Sequence, residues 1–195
     1  MTVWFTADTH FNHKNIIEYC SRPYADIEEM NKAIIDNWNS VVSEKDNVVV
    51  AGDMFMGRVE TIDQIVPQLN GTIFLVPGNH DSQKRLKACA AKGVRIVNKG
   101  YLKFSGDGVS RPRIIVVHSP YDFKSRLEIT EKECALKEET VLYVYGHIHD
   151  EAPSGLVKES EHVYSFHAGV DTNDYTPVLW DNIYKEYRKM EGFID

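Results

Sequence analysis

The sequence predicts an α/β fold in which a largely parallel sheet is covered by helices. Short apolar segments rich in Val, Ile, Phe and Tyr alternate with amphipathic helical stretches through most of the 195-residue chain. Most of the apolar segments contain no polar residue, as in strands that are buried on both faces. Apolar residues make up 43% of the chain and charged residues 26%, so a sizeable core is possible without disulfides.

Strands are predicted at the apolar segments of the chain. They cover residues 3–7, 48–51, 73–76, 94–97, 114–117, 141–145 and 163–167. Residues 101–104 and 113–117 flank a Gly- and Ser-containing turn and are predicted to form a hairpin. The second half of the chain should therefore contain antiparallel as well as parallel pairs.

The clearest helix is predicted over residues 27–42, where apolar residues recur at spacings of three and four. Asp26 and Glu29 have the spacing of a capping box at its start. Further helices are predicted from Arg58 to a stop at Asn70-Gly71, over 82–92, from near Asn15 and, as a surface helix, over 183–190.

Composition restricts the class of protein. No linker or repeat interrupts the chain, so residues 1–195 are expected to form a single domain. No apolar run approaches the roughly 18 residues that cross a bilayer, and the first ten residues lack the features of a signal peptide. Three widely spaced cysteines, Cys20, Cys89 and Cys134, fit free thiols in a reducing compartment, which predicts a cytoplasmic location. The net charge of −7 argues against a surface that binds an extended nucleic acid, because such a surface needs clustered Lys and Arg.

Polar residues follow five of the predicted strands at the point where each strand ends. They are Asp8 with His10, Asp53, the run Asn79-His80-Asp81, His118, and His147 with His149. Open α/β sheets bind ligands outside the carboxyl ends of their strands, so all five groups should meet at one sheet edge. Because residues i and i+2 of an extended stretch point to the same side, each Asp-x-His or His-x-His pair should converge.

The donor types in these groups are carboxylate, imidazole and amide, without cysteine. Such ligands suit Mn, Fe, Zn, Co or Ni better than a Cys-rich zinc site or an all-oxygen calcium site. They are too many for one tetrahedral ion with an open position, whereas two ions that share a carboxylate would use them all. Each group alone fits an ordinary turn or helix cap, but five of the 8 histidines lie at these strand ends.

In this order, the five groups resemble the motif set of the calcineurin-like metallophosphoesterase superfamily. The matching motifs are Asp8-x-His10, Gly52-Asp53, Gly78-Asn79-His80-Asp81, His118 and Gly146-His147-x-His149. Residues 6–23 are similar to a small bacterial and phage branch of that superfamily. The resemblance implies a four-layer α/β/β/α sandwich with two mixed β-sheets and a dinuclear metal centre. Ser119-Pro120 stands where many members have Gly, so the loop beside the second ion should differ.

The resemblance also implies a role for each matching residue. One ion would be held by Asp8, His10, Asp53 and His149, and the other by Asp53, Asn79, His118 and His147, with Asp53 bridging. His80 would act near the leaving group, and Asp81 would orient it. The implied cofactors are two divalent transition-metal ions, with Mn preferred and Fe, Ni, Zn or Co as alternatives.

The activity implied is hydrolysis of a phosphodiester or a small nucleotide-type phosphate ester by a hydroxide bound to the two metals. A diesterase is preferred to a monoesterase. The alternatives are a non-catalytic scaffold with the same fold, which the complete ligand set disfavours, and a metal-dependent nuclease. A protein phosphatase is disfavoured because the chain lacks the extra length and arginine-bearing motifs of those enzymes.

Three further polar residues are candidates for substrate contacts, each with an ordinary structural alternative. His13 could face the substrate or cap the helix that begins near Asn15. Arg22 could meet a phosphate or form a surface ion pair. His167 could point to the same edge or be a satisfied core histidine. Tyr121 could likewise stack on a base or simply pack against its neighbours.

Overall fold

The computed structural model describes residues 2–194 as two mixed five-stranded sheets that pack face to face, with helices on both outer faces. This arrangement confirms the four-layer α/β/β/α sandwich. The first sheet contains β1 (Val3–Thr6), β2 (Asn47–Val50), β3 (Thr72–Leu75), β4 (Arg95–Ile96) and β10 (Val178–Leu179). The second contains β5 (Leu102–Phe104), β6 (Arg113–Val116), β7 (Val141–Tyr145), β8 (Leu156–Lys158) and β9 (Val163–His167).

Both sheets have a parallel centre, with an antiparallel strand at one edge of the first sheet and at both edges of the second. The first has the order β10-β1-β2-β3-β4, in which only β10 is antiparallel to its neighbour. The second has the order β5-β6-β7-β9-β8, with β5 and β8 antiparallel. The predicted hairpin is the β5–β6 pair. Since the central strands run parallel, their carboxyl ends lie together, which is the condition for a shared site.

The helices divide between the outer faces and one edge of the sandwich. Their bounds are α1 (Lys14–Tyr19), α2 (Ile27–Val41), α3 (Ile62–Ile65), α4 (Gln83–Ala91), α5 (Tyr121–Lys124), α6 (Leu127–Lys137) and α7 (Trp180–Met190). Helices α1 to α4 contribute apolar side chains to the core over the first sheet, and α5 and α6 contribute to that over the second. The predicted cap of α2 is present, because the Asp26 carboxylate accepts a hydrogen bond from the Glu29 amide at 2.8 Å.

The alternation of side chains along the strands builds separate cores. Val48 and Val50 of β2 face the helices, whereas Val49 faces the second sheet, where it joins Val144 and Phe166. Each core contains many fully buried apolar residues. Burial on both faces is why the central strands lack polar residues.

The predicted strands are all present, with bounds that are unchanged or shift by one residue at one or both ends. Differences lie elsewhere. The helix predicted from Arg58 is two 3₁₀ turns around the short α3, and Pro67 lies in the second turn. The C-terminal helix was expected at the surface, but α7 buries Trp180, Ile183 and Tyr187 between the two sheets. None of the described helices is both long and apolar enough to cross a membrane.

Candidate metal centre

The polar groups predicted at the strand ends come together at the carboxyl ends of strands from both sheets. Asp8, Asp53 and Asn79 follow β1, β2 and β3 of the first sheet, while His118 and His147 follow β6 and β7 of the second. The expectation of one edge of one sheet is therefore wrong. The face-to-face packing of two sheets places two sets of strand ends side by side.

Sharp turns, not extended backbone, cause the convergence. Asp8, His10, Asp53, His147 and His149 have positive φ angles of 55, 47, 53, 81 and 47°. The expectation that each pair would converge through the pleat of a strand is therefore corrected. Left-handed conformations are uncommon for residues other than glycine, and they concentrate at functional sites whose surroundings impose them.

One group of potential ligands consists of Asp8, His10 and His149, whose ligand atoms lie within 4.8 Å of one another. The second oxygen of Asp8, Oδ2, accepts the His147 amide at 2.8 Å. Nδ1 of His10 lies 3.2 Å from Nδ1 of His13. Asp8 and His10 are thus each held through one polar atom, while Asp8 Oδ1 and His10 Nε2 are left to bind an ion. We refer to this group as the first subsite.

A second subsite consists of Asp53, Asn79, His118 and His147. Nε2 of His118 lies 2.9 Å from Asn79 Oδ1, 3.2 Å from Asp53 Oδ2 and 3.2 Å from His147 Nδ1. Nδ1 of His118 lies 2.8 Å from the Ala51 carbonyl, to which it can only donate. In neutral His118 the lone pair is therefore on Nε2, at the centre of the other acceptors.

Asp53 links the two subsites through a single oxygen. Its Oδ2 lies 3.2 Å from His118 Nε2 and 3.8 Å from His10 Nε2. The other oxygen, Oδ1, accepts the His80 amide at 2.8 Å. One carboxylate oxygen therefore faces both subsites, while the second oxygen fixes the orientation of the carboxylate.

Electrostatics of the buried groups fit divalent cations. Asp8 Oδ1 and His10 Nε2 are buried without a hydrogen-bond partner among the described residues. Burial raises the pKa of Asp8 to about 7 and lowers that of His10 to about 2, because desolvation disfavours both charged forms. Burial also disfavours charge on His118, but the hydrogen bond to Asp53, the negative charges of Asp53 and Asp8 and the Ala51 carbonyl together outweigh this and raise the His118 pKa to about 9. Positive charge is thus favoured between these acceptors, and carboxylate, imidazole and amide donors suit transition-metal ions.

Two glycines of the motifs are needed for close approach. A Cβ on Gly146 would lie 2.4 Å from Asp8 Oδ2, and one on Gly78 would lie 2.2 Å from Asp53 Oδ1. Both distances are far below van der Waals contact. These glycines therefore leave the space in which the two carboxylates are placed.

His80 and Asp81 have different surroundings from those expected. The exposed His80 ring lies 5.5 Å from the His10 ring between centroids. Asp81 was expected to orient His80, but its oxygens accept the amides of Asp53 (2.8 Å), Gly78 (2.9 Å) and Met54 (3.3 Å). Both oxygens are therefore engaged by backbone, and Asp81 positions the loop that carries Asp53.

The candidate substrate residues separate into one that lines the cavity and two that are buried behind it. His13 directly precedes α1, but its side chain does not cap the helix. It faces His10 and lines a cavity of about 480 Å³ with His80 and His147. Arg22 is 3% exposed and paired with Asp171, so it neither contacts substrate nor forms a surface ion pair. His167 is 2% exposed; its Nδ1 lies 2.8 Å from Thr172 Oγ1 and its Nε2 lies 4.0 Å from Asp8 Oδ2.

Asp171 is a site residue that the sequence reasoning did not identify. Its Oδ2 lies 2.9 Å from Nδ1 of His149. Its position could have indicated it, because Asp171 lies four residues after His167, the last residue of β9. β9 is a sixth strand whose carboxyl end lies at the site. Its partner Arg22 lies 149 positions away in the sequence, so no local pattern connects the two.

Comparison with known proteins identifies the family. A family model described as calcineurin-like phosphoesterase matches residues 1–187. The chain belongs to the calcineurin-like phosphoesterase family. This membership confirms the resemblance in the motifs, and the ligand groups described above agree with a family whose members typically bind divalent metals.

Individual relatives carry little functional information. An uncharacterized protein of Methanocaldococcus jannaschii is 46% identical over 81 residues, which cover 40% of this chain and 46% of that protein. The chain thus matches about half the length of this curated relative. The Gene 66 protein of Mycobacterium phage L5 is 26% identical over 187 residues, covering 86% of each chain. A protein of unknown function from Aquifex aeolicus has a similar structure, with a TM-score of 0.69, 24% identity and coverage of 94% and 98%.

Proposed function

We propose that this phosphoesterase hydrolyses a phosphodiester or small nucleotide-type phosphate ester at a centre of two divalent transition-metal ions. The observation that carries the proposal is the placement of Asp53 Oδ2, which faces His118 and His10 of separate ligand groups. One ion would be held by Asp8, His10, Asp53 and His149. The other would be held by Asp53, Asn79, His118 and His147. The resemblance to the family makes Mn the preferred ion, and the mixed carboxylate, amide and imidazole donors also suit Fe, Ni, Zn and Co.

Two bound divalent ions would activate a water for attack and neutralise charge on the phosphoryl oxygens. Asp8 and Asp53 would offset two of their four positive charges. The site would therefore attract a phosphate although the chain as a whole carries a net charge of −7. The ligand side chains themselves are preorganised by hydrogen bonds to the backbone, such as that of His118 to Ala51.

We assign proton donation to the leaving-group oxygen to His80. Its amide donates to Asp53 Oδ1, so its backbone is fixed relative to the carboxylate that links the subsites. Its ring is exposed and lines the cavity, where a leaving group can reach it. Protonation by a positioned imidazole lowers the barrier most for a poor leaving group such as an alkoxide or a ribose oxygen.

Two exposed aromatic residues support an ester with planar substituents. Tyr19 is 69% exposed and lines the cavity beside the first subsite, and Tyr121 is 66% exposed beside His147 of the second. Each can offer a face to a nucleobase. A diester has groups on two sides of the phosphorus, which matches one tyrosine at each end of the centre. This arrangement supports a diesterase rather than a monoesterase.

Two expectations from the sequence stay predictions. Both halves of the chain contribute to the core between the sheets, which supports a single domain over residues 1–195. Cys20, Cys89 and Cys134 are free thiols, which supports a reducing compartment and hence a cytoplasmic location.

The test is hydrolysis of bis-p-nitrophenyl phosphate, with metal content measured by elemental analysis. We expect two ions per chain after Mn²⁺ reconstitution, loss of activity with chelator and recovery with Mn²⁺. A panel of monoesters, diesters, cyclic nucleotides and dinucleotides with Mn, Ni, Zn or Mg then identifies the ester class. Full activity after complete metal removal would contradict the proposal. Two bound ions without activity on any ester would favour a non-catalytic scaffold.

A further inference from the structure

Arg22 is a buried cation outside both subsites. Its Nε donates to Asp171 Oδ1 at 2.8 Å, and its Nη2 donates to Asp171 Oδ2 at 3.0 Å. This is a bidentate pair, and both side chains are at most 2% exposed. Burying two charges is costly, and their attraction only offsets that cost when the geometry and further hydrogen bonds are good. A pair of this kind needs an explanation beyond stability.

The explanation lies in what else the two side chains contact. Arg22 Nη2 donates to the Asp8 carbonyl at 2.8 Å, and Nη1 donates to the Thr9 carbonyl at 3.0 Å. Asp171 Oδ2 lies 2.9 Å from His149 Nδ1. The pair thus connects the turn after β1, which carries Asp8 and His10, with His149 after β7.

We propose that Arg22 and Asp171 form a positioning pair for the first subsite, fixing His149 and the Asp8 turn so that this subsite binds its ion. The inference rests on the proposed metal centre. Neither residue contacts the substrate cavity or the reacting atoms, so their role is indirect. The second subsite is held mainly by different groups, Ala51 and Asp81, and touches the Asp8 turn only through the His147 amide, so it should depend much less on this pair.

Chemistry explains both halves of the pair. An ionised carboxylate only accepts hydrogen bonds, so Asp171 requires a proton on Nδ1 of His149 and leaves the lone pair on Nε2 for an ion. Arg22 holds Asp171 with two donors and still reaches two backbone carbonyls through the same planar guanidinium. Lysine presents a single ammonium and cannot reproduce this fork.

The experiment is calorimetric titration of Mn²⁺ into the metal-free full-length protein. Asp8→Asn and His147→Ala first identify which binding event belongs to which subsite. We expect Asp171→Asn to weaken the same event as Asp8→Asn by about 10- to 100-fold and to leave the other event within about threefold. Arg22→Lys should weaken the same event less. Asp46→Asn is the matched control, because that carboxylate holds Trp4 and Ser43 near the opposite end of β2.

Equal weakening of both events by Asp171→Asn would show a general effect on folding and would overturn the proposal, as would wild-type affinity at both. Thermal unfolding of each metal-free variant measures the general effect directly. If Asp171→Asn does not fold, Arg22→Lys gives the same comparison. Binding of a single ion by the wild type would contradict the dinuclear centre. In that case the positioning role is tested on the one ion, and normal affinity of Asp171→Asn for it would overturn that role.

Discussion

Asp53 lies between the two subsites, which are held in different ways. In the first, Asp8 and His10 are at most 1% exposed, and the charged pair of Arg22 and Asp171 supports the surrounding turns. In the second, the Ala51 carbonyl holds His118, and Asn79 is exposed at the rim. One subsite is thus built on buried charge and the other mainly on backbone hydrogen bonds.

This difference suggests a division of tasks between two otherwise similar ligand groups. Buried, charge-assisted contacts lose little to solvent screening, so we expect the first subsite to retain its ion longer. The second subsite has Asn79 exposed at its rim, so we expect it to exchange its ion more readily. This difference between the subsites can be tested with variants that act on both subsites, on neither, or on one at a time.

The largest effect is expected from Asp53→Asn, which acts on both subsites. It removes the negative charge of the oxygen that faces both groups, so we expect loss of both ions and a fall in kcat of at least about 10³-fold. Elemental analysis and hydrolysis of bis-p-nitrophenyl phosphate measure the two effects. Two tightly bound ions in this variant would mean that Asp53 does not link them.

His80→Ala is expected to separate catalysis from metal binding. The His80 ring belongs to neither ligand group, so metal content should stay near that of the wild type while kcat falls by about 10²- to 10⁴-fold. The loss should be small for p-nitrophenolate and large for a ribose or alkoxide leaving group. Equal losses on two diesters that differ only in leaving-group pKa would indicate phosphate binding instead of proton donation. Metal loss would mean that His80 is a ligand.

Gly146→Ala and Gly52→Ala address one subsite each. The new methyl would meet Asp8 Oδ2 at 2.4 Å in the first variant and His118 Nδ1 at 2.3 Å in the second. We expect each to weaken Mn²⁺ binding by about 10- to 100-fold at the subsite of the ligand it displaces, because that ligand also loses the contact that orients it. Gly52→Ala should in addition weaken the other event by a smaller factor, since Gly52 has a φ of +89° directly before Asp53. Calorimetry on the two variants should show opposite patterns. Identical patterns would show that the subsites are not independent.

The central strands could be predicted because strands that are buried on both faces consist almost entirely of apolar residues. Residues 141–145 and 163–167 are strands with those bounds, and every residue in both is buried. The short edge strands β8 and β10 are only two or three residues long and partly exposed, so they carry no such signal. Helix α6 was not predicted because it lacks an apolar stripe, with Ile129 and Leu136 exposed.

The site was predictable where residue type and position at a strand end coincide, as for Asp8, Asp53 and His118. The positive φ angles were not predictable, because the surrounding turns impose them against the intrinsic preference of Asp and His. The burial of Arg22 was not predictable for a related reason. Its burial depends on Asp171, and only the folded chain shows that two residues so far apart in sequence are paired.

The smallest effect is expected from Glu191→Gln, at the end of the sandwich away from the subsites. The Glu191 carboxylate accepts from Lys158 at 2.8 Å and from the Tyr164 hydroxyl. Burial raises its pKa, but these contacts outweigh burial and lower it. A lowered folded-state pKa gives stability that is present above the unfolded value of about 4.3 and is lost as the pH falls through the folded value.

Glu191→Gln should therefore reduce the free energy of unfolding by about 1 kcal/mol or less at pH 7, since the pair is partly exposed, and by less at pH 3. Urea unfolding of the metal-free protein at both pH values measures this. Mn²⁺ affinity should be unchanged at either subsite, because Glu191 touches neither group of ligands. A changed Mn²⁺ affinity at one subsite would show that contacts at the far end of the sandwich affect the metal centre. The difference between the subsites would then need a cause outside their immediate contacts.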